Sequence, residues 1–365
     1  MNPIAAILSP NASETLAAPD EIELDIPGSE PEAAQPSGII DRARSRPVDR
    51  VLATLVTFGP PLAAALTVYL HLTGWARLTW IEITCWLSIH ALAVTGVEVG
   101  FHRLFTHGSY KATRSVRVAL AIMGSMAFQG PVIWWCAVHR KHHRHSDRPA
   151  DPHSIYIKPD GRTDYNRGIL SLARGFLHAH MGWIWVPEST RFVGWGSYVR
   201  NLYQDKDLFR IHVQYPYWLA LSFLIPTVLG GALHGTWQGA FMGFLWGGFV
   251  RVFIMNHLTY WTINSVSHSV GRRPYLTADR STNSIPLLFA IPTLGQSYHN
   301  NHHAFPSAAA MRHEWYEFDL GLIILRCLSW LGLVYDLRVP TEEQKKRKRT
   351  KKRRRPRCEA ASQPS

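Results

Sequence analysis

Residues 51–72 read VLATLVTFGPPLAAALTVYLHL, an apolar stretch without Asp, Glu, Lys or Arg. As a helix, a stretch of this length rises about 33 Å, which is enough to cross the hydrocarbon core of a bilayer. Three further stretches have a similar character, at about 78–100, 217–231 and 236–260. The turns at 73–77 and 232–235 are short. We therefore predict an all-α integral membrane protein with four transmembrane helices in two hairpins.

Basic residues predict how the hairpins are oriented. The first hairpin turn holds only Arg77, whereas basic residues are frequent on both flanks of the hairpin: Arg42, Arg44, Arg46 and Arg50 before it, and Arg103, Lys111, Arg114 and Arg117 after it. Positive residues favour the cytoplasmic side of a membrane. We expect both termini, the segment between the hairpins and the C-terminal third to be cytoplasmic.

Three histidine clusters flank the predicted helices, and two of them share the spacing H-x-x-H-H. They are HRLFTH at 102–107, HRKHH at 139–143 and HNNHH at 299–303. Helix positions i, i+3 and i+4 lie on one face, so such a cluster can direct several imidazoles to one point. Imidazole is a common neutral metal ligand, and one ion takes roughly four to six ligands. Eight candidates therefore predict two metals at the cytoplasmic end: His102, His107, His139, His142, His143, His299, His302 and His303.

The remaining composition divides the chain into a membrane domain at 46–340 and two tails. The formal charge is +13, of which the run KKRKRTKKRRRPR at 345–357 contributes eleven, leaving +2 elsewhere. We predict that residues 341–365 are a disordered polybasic tail, solvated or in contact with anionic membrane lipids rather than nucleic acid. Residues 1–45 are acidic and rich in Ala, Pro and Ser, which is typical of disorder. The four cysteines show no paired spacing that would indicate a disulfide framework.

The order of the clusters and the phrase HNNHHAFP at 299–306 resemble the membrane fatty-acid desaturase family. The likeness is greatest to the stearoyl-CoA (Δ9) desaturase-like branch in its bacterial form, and it covers about 51–340. It implies a cytoplasmic helical cap that holds a histidine-rich di-iron site, in a bacterial inner membrane. It also implies that two Fe ions and O2 introduce a cis double bond, expected at Δ9, into a long-chain fatty acyl substrate.

The same resemblance implies further site residues and partners. His268 matches a ninth iron ligand, and Asn264 matches a position that reaches a metal through water. Two external electrons are expected from ferredoxin or a cytochrome b5-like donor, because the chain shows no flavin, haem or ferredoxin motif. Residues expected along the substrate tunnel are Trp135, Trp183 and Trp261. Residues expected beside the metal ligands are His180, Gln296 and Asp319, although a salt bridge to an arginine is an equal alternative for Asp319.

Two departures from the family pattern leave the carrier and the outcome open. Ala137 and Val138 stand where animal acyl-CoA members carry an Arg-Asp pair that contacts CoA. The acyl carrier can therefore be CoA, an acyl-carrier protein or a lipid. Gln296 stands where Glu is common, and a lipid hydroxylase or acetylenase on the same histidine scaffold is the alternative function. A metal transporter is disfavoured, because transport sites lie at mid-membrane depth.

Overall fold

A computed structural model of the chain describes residues 47–192, 194–284 and 290–350. In chain order its helices are α1 Pro47–Leu72, α2 Trp80–Thr106, α3 Arg114–Ser125, α4 Val132–His145, α5 Ile169–His180, α6 Pro187–Thr190, α7 Arg200–Tyr203, α8 Lys206–Val213, α9 Tyr215–His234, α10 Trp237–Val266, α11 His299–Ala304, α12 Leu320–Trp330 and α13 Glu342–Lys348. Two 3₁₀ turns lie at Gly182–Trp185 and Trp195–Val199. The strands β1 Lys111–Ala112 and β2 Val334–Tyr335 pair antiparallel. The prediction of an all-α fold is confirmed.

Four of these helices, α1, α2, α9 and α10, are long and apolar enough to cross a membrane. This confirms the predicted four transmembrane helices of an integral membrane protein. On α1, Leu55, Leu62 and Tyr69 are 55%, 69% and 62% exposed, which leaves an apolar surface of the kind that lipid covers. Both α2 and α10 continue about six residues beyond their predicted ends, at 100 and 260. These extensions lead from the membrane helices to the histidine clusters.

The second hairpin, α9–α10, is packed through small residues. Gly235 takes a left-handed conformation with φ 66° between the two helices, which glycine adopts without steric cost. The Thr236 side chain then caps α10 by accepting a hydrogen bond from Gly239 N. A Cβ at Gly243 would overlap the carbonyl oxygen of Pro226 on α9. The two backbones therefore lie in direct contact.

The helices that lead to the histidines contain π-helical turns. Such turns occupy Gly96–Thr106 in α2, and Phe244–Val250 and Ile254–Tyr260 in α10. A π turn accommodates one extra residue, and such turns are frequently found at functional sites. In α10 the wholly buried Arg251 donates hydrogen bonds to the Met126 carbonyl, after α3, and to Ser222 Oγ of α9. This arginine joins the α3–α4 turn to the second hairpin.

One buried ion pair attaches α12 to α2. Arg103 Nη2 lies 2.9 Å from Asp319 Oδ1, and both side chains are fully buried. The same guanidinium donates to the carbonyls of Leu294 and Ala309. Asp319 also caps α12 by accepting from Leu322 N. Buried charges need this complete pairing, since removing one partner costs several kcal/mol.

The start of the C-terminal tail differs from the prediction of disorder from residue 341. The helix α13 begins with a capping box between Thr341 and Gln344. Its last residue, Lys348, accepts a hydrogen bond from Leu276 N at 2.8 Å through its carbonyl. This hydrophilic segment is ordered because its backbone forms hydrogen bonds with the 273–276 loop. The predictions for 1–45 and for 351–365 concern residues outside those that the structure describes.

Candidate metal centre

Nine histidines form two adjacent groups whose ring nitrogens converge. The five-histidine group contains His102, His107, His139, His143 and His302, and the four-histidine group contains His142, His268, His299 and His303. Within each group the potential ligand atoms all lie within 4.8 Å of one another. The two groups touch, with the rings of His143 and His303 4.5 Å apart between centroids. The structure thus brings together the eight histidines of the three clusters and His268.

The π turns of α2 explain how His102 and His107 enter the same group. Residues five apart on an α-helix point in different directions, whereas a π-helix bonds residue i to i+5. The amide of His107 donates to the carbonyl of His102 at 3.2 Å, and the two ring centroids are 4.9 Å apart. The unusual helix geometry thus lets an H-x4-H spacing serve one site.

Each H-x-x-H-H cluster is divided between the two groups. On α4, His139 and His143 belong to the five-histidine group, and His142 belongs to the other. On α11, His302 joins the five-histidine group, while His299 and His303 join the other. A helix turns by about 100° per residue, so neighbouring cluster members face different points. The two helices therefore each contribute histidines to both groups.

The nitrogens that meet in the centre of each group are Nε2 atoms. In the five-histidine group, His302 Nε2 lies 3.0 Å from His102 Nε2 and 2.8 Å from His143 Nε2. In the four-histidine group, the Nε2 atoms of His268 and His299 are 3.0 Å apart. The buried Nε2 atoms of His107, His142 and His303 have no hydrogen-bond partner among the described residues. Converging, unpartnered ring nitrogens are a donor set suited to a metal ion.

Carboxylates hold the opposite side of several rings. Asp147 accepts from Nδ1 of His268 at 2.9 Å, Asp151 lies 2.9 Å from Nδ1 of His142, and Asp279 lies 2.6 Å from Nδ1 of His303. In the five-histidine group Glu98 lies 3.3 Å from Nδ1 of His102. A carboxylate on Nδ1 fixes the ring's orientation and tautomer and leaves Nε2 for a metal.

Burial keeps most of these imidazoles neutral and able to bind a metal. Desolvation, followed by the neighbouring histidines, holds the pKa of His139, His143 and His302 well below the usual value of 6.5. His268 is different: desolvation would lower its pKa, but the charge and hydrogen bond of Asp147, together with the charges of Asp279 and Asp151, raise the pKa to about 9. A metal that binds His268 must therefore displace a proton.

The two asparagines of HNNHH hold α11 in place. Asn300 pairs with Tyr275, accepting from its amide at 2.9 Å and donating to its carbonyl at 3.1 Å. Asn301 donates to Glu317 at 2.9 Å and accepts from Asn283 at 2.8 Å. Both amides are fully buried and use donors as well as acceptors. This network fixes the helix that carries His299, His302 and His303.

The three residues predicted beside the ligands have different surroundings. Gln296 does lie against a histidine of the five-histidine group, with its Nε2 3.2 Å from His102 Nε2. Asp319 instead forms the ion pair with Arg103 described above, which was the stated alternative. His180 lies outside both histidine groups, with Nδ1 3.1 Å from Ser265 Oγ.

The predicted tunnel residues also differ in their distance from the histidines. Trp135 stacks on His139 with ring centroids 5.0 Å apart. Trp183 is 5.7 Å from the ring of His153, which is outside both groups, and Trp261 is 6.2 Å from His180. Asn264 lies in the last turn of α10, four residues before His268. The tunnel and the water-mediated role of Asn264 stay predictions.

The four carboxylates that contact histidines of the two groups were not predicted as site residues. Glu98 could have been found, because it lies four residues before His102 on the same helix. Asp147 and Asp151 follow the second cluster closely in sequence, but they contact His268 and His142, respectively. Asp279 is 24 residues from His303, and no local pattern connects them.

Comparison with known proteins matches the sequence to one family. The fatty acid desaturase family matches residues 78–320, a segment that contains all nine histidines of the two groups. The chain belongs to the fatty acid desaturase family. It is therefore an oxidoreductase, and its histidine groups are consistent with the metal site of a desaturase.

Individual relatives of this desaturase differ in their reactions. It is 42% identical over 270 residues to hex-5-enoyl-[acyl-carrier protein] acetylenase of Moorena producens, covering 74% of this chain and 81% of that protein. It is 33% identical over 273 residues to a Delta(9)-fatty-acid desaturase of Caenorhabditis elegans, covering 74% of each. It is 30% identical over 287 residues to a probable acyl-CoA desaturase of Schizosaccharomyces pombe, covering 78% of this chain and 54% of that protein.

Proposed function

We propose that this protein is an O2-dependent fatty acyl desaturase that binds two iron ions, one in each histidine group. The observation that carries the proposal is the pair of adjacent, all-histidine groups with converging Nε2 atoms in a member of this family. Imidazole suits iron, and the unpartnered Nε2 atoms of His107, His142 and His303 are free to bind it. Asn264 is proposed to complete the four-histidine group through water.

Bound iron supplies the oxygen chemistry of the reaction. Two adjacent methylene groups, O2, two electrons and two protons give a cis alkene and two waters, so atoms and charge balance. The protein's own part is to present neutral imidazoles in a fixed orientation and to exclude bulk water. Seven of the nine histidines are buried, and the ring of Trp135 covers His139. The Trp135 indole is held in turn by Gln129 Oε1 at 3.3 Å.

The partners follow from this chemistry and from the position of the site. The two electrons are proposed to come from ferredoxin or a cytochrome b5-like protein. We place the protein in a bacterial inner membrane with the histidine groups and both termini on the cytoplasmic side, as the distribution of basic residues predicts. A soluble donor then has access to the end of the bundle at which the histidines assemble.

An acyl-carrier protein is the carrier that we favour for the acyl chain. Ala137 and Val138 are 0% and 5% exposed and lie inside the protein on α4, so they offer neither charge nor surface to CoA. The acetylenase of Moorena producens is named for an acyl-carrier protein substrate. CoA and lipid-bound chains remain the alternatives that an assay must compare.

Acetylenic bond formation is the second candidate function. The named reaction of the 42% identical relative supports it. The step removes two further hydrogens from an existing alkene, with the same balance of O2, electrons and protons. The histidine groups would serve either reaction, so the choice depends on which acyl chain is bound.

These proposals can be tested by analysing the fatty-acid methyl esters of a desaturase-deficient bacterial host. The host expresses the wild type, His302→Ala, or His71→Ala as a control at an exposed histidine outside both groups. Gas chromatography with bond localisation should show a new cis monoene with the wild type and the control only, and its position tests the Δ9 prediction. An alkyne would favour the acetylenase, and neither product despite a co-expressed donor and carrier would overturn both functions.

A further inference from the structure

The two histidine groups differ in the carboxylates that contact them. In the four-histidine group three of the rings each have an aspartate on Nδ1, namely Asp147, Asp151 and Asp279. In the five-histidine group, Glu98 is the only carboxylate within 4.0 Å of a ring nitrogen among the residues that the structure describes. The four-histidine group thus has three carboxylates beside its rings, whereas the five-histidine group has one.

Glu98 is an unusual residue for its location. It lies in the membrane-crossing helix α2 and is 0% exposed. Among the described residues no Lys or Arg nitrogen lies within 4.0 Å of it, and neither carboxylate oxygen has a well-aligned hydrogen bond. A buried ionisable group in a membrane span is costly and generally has a functional partner. The ring of His102, 3.3 Å away, is such a partner, and the Tyr260 hydroxyl contacts the same carboxylate.

A second side chain contacts the same ring. Gln296 Nε2 lies 3.4 Å from Nδ1 and 3.2 Å from Nε2 of His102, and Gln296 Oε1 has no hydrogen-bond partner in the described part of the chain. His102 thus contacts both an acid and an amide. Exchanging the two residue types would keep one carboxylate beside the ring and leave the composition of the site unchanged.

We propose that Glu98 is the positioning residue of the five-histidine group: its carboxylate orients His102 and partly neutralises the metal held there. The proposal rests on the proposed function only in assuming that both groups hold metal. The two metal positions are consequently unequal, and the one beside the three aspartates is the more fully neutralised. A partner of this kind changes metal affinity about 10- to 100-fold. Glu98→Gln should therefore weaken one site and spare the other.

A matched control exists on the same helix. Glu82 is also a buried glutamate of α2, 1% exposed, and contacts a histidine, His234, at 2.7 Å. It precedes Glu98 by 16 residues, or about 24 Å along a helix. Glu82→Gln removes the same charge far from the metal groups. The rescue variant is Glu98→Gln combined with Gln296→Glu, which restores a carboxylate beside His102.

The test is a Co²⁺ titration of metal-stripped full-length protein in detergent, followed by visible absorption. The wild type and Glu82→Gln should bind two ions. Glu98→Gln should bind one ion as before and the second about 10- to 100-fold more weakly, and the double variant should regain it. Two unchanged sites in Glu98→Gln would overturn the proposal. An equal loss of Co²⁺ affinity in both single variants, or no recovery of affinity in the double variant, would assign the effect to packing. Either result would also overturn the proposal.

Iron content and Mössbauer spectra of the ⁵⁷Fe-loaded proteins separate this inference from the proposed function. Wild-type protein that binds Co²⁺ but never acquires iron would refute the di-iron proposal while the titration still decides the role of Glu98. Two iron signals of which Glu98→Gln loses one would support both. A single signal for two bound irons, unchanged in Glu98→Gln, would refute the inequality of the sites and leave the enzyme function intact.

Discussion

Lys348 is expected to stabilise the helix that carries His299, His302 and His303. Its ammonium donates to the carbonyl of Ala304, the last residue of α11, at 2.5 Å. A net hydrogen bond to a charged group contributes about 1.5–3 kcal/mol, and its loss would leave that carbonyl unpaired. Because Lys348 is half-buried, solvent compensates in part, and we expect about 1.5 kcal/mol for Lys348→Met. This corresponds to about a tenfold increase in the local opening of α11.

Hydrogen–deuterium exchange with mass spectrometry measures that opening directly in the amides of 299–305, together with iron content. The control is Lys346→Met, which removes an exposed lysine from the same helix. Equal exchange in the two variants would refute the assigned contact. A pair of truncations extends the test. A chain ending at Thr350 keeps this contact and should retain its iron, whereas one ending at Pro340 should lose it.

Three further outcomes are expected. His302→Ala removes a ring nitrogen that meets two others at 3.0 and 2.8 Å, so product should disappear and bound iron should fall, while the protein stays in the membrane; full activity would contradict the ligand assignment. Asp147→Asn should lower the pKa of His268 from about 9, so that metal loading at pH 8, followed with an indicator dye, releases about one proton fewer per chain. Because the pKa of His268 is higher in the folded protein than in the unfolded chain, the stability that its protonated form contributes is complete below pH 6.5. This stability is lost as the pH rises through about 9. Gly96→Ala forces a Cβ into the backbone of α3 and should cost about 1–3 kcal/mol in thermal unfolding, whereas Gly59→Ala, with its nearest neighbour at 3.8 Å, should not.

The candidate site was predictable from sequence to an unusual extent, because imidazole ligands occur in recognisable local spacings. H-x-x-H-H places three rings near one another on any helix, so His142 and His143 were identifiable without a fold. The division of each cluster between two groups was not identifiable. It depends on how α4 and α11 are rotated relative to each other, which packing decides.

Local sequence determined the four membrane helices, their hairpin pairing and the eight clustered histidines, because apolar length and helical periodicity act over neighbouring residues. Tertiary structure alone decided which ring nitrogens converge in each histidine group. The π turns of α2 brought His107 into line with His102, and distant aspartates were placed behind His268 and His303. These contacts join residues up to 121 positions apart. No local propensity encodes such a pairing, since it exists only when burial of the whole assembly holds both partners in place.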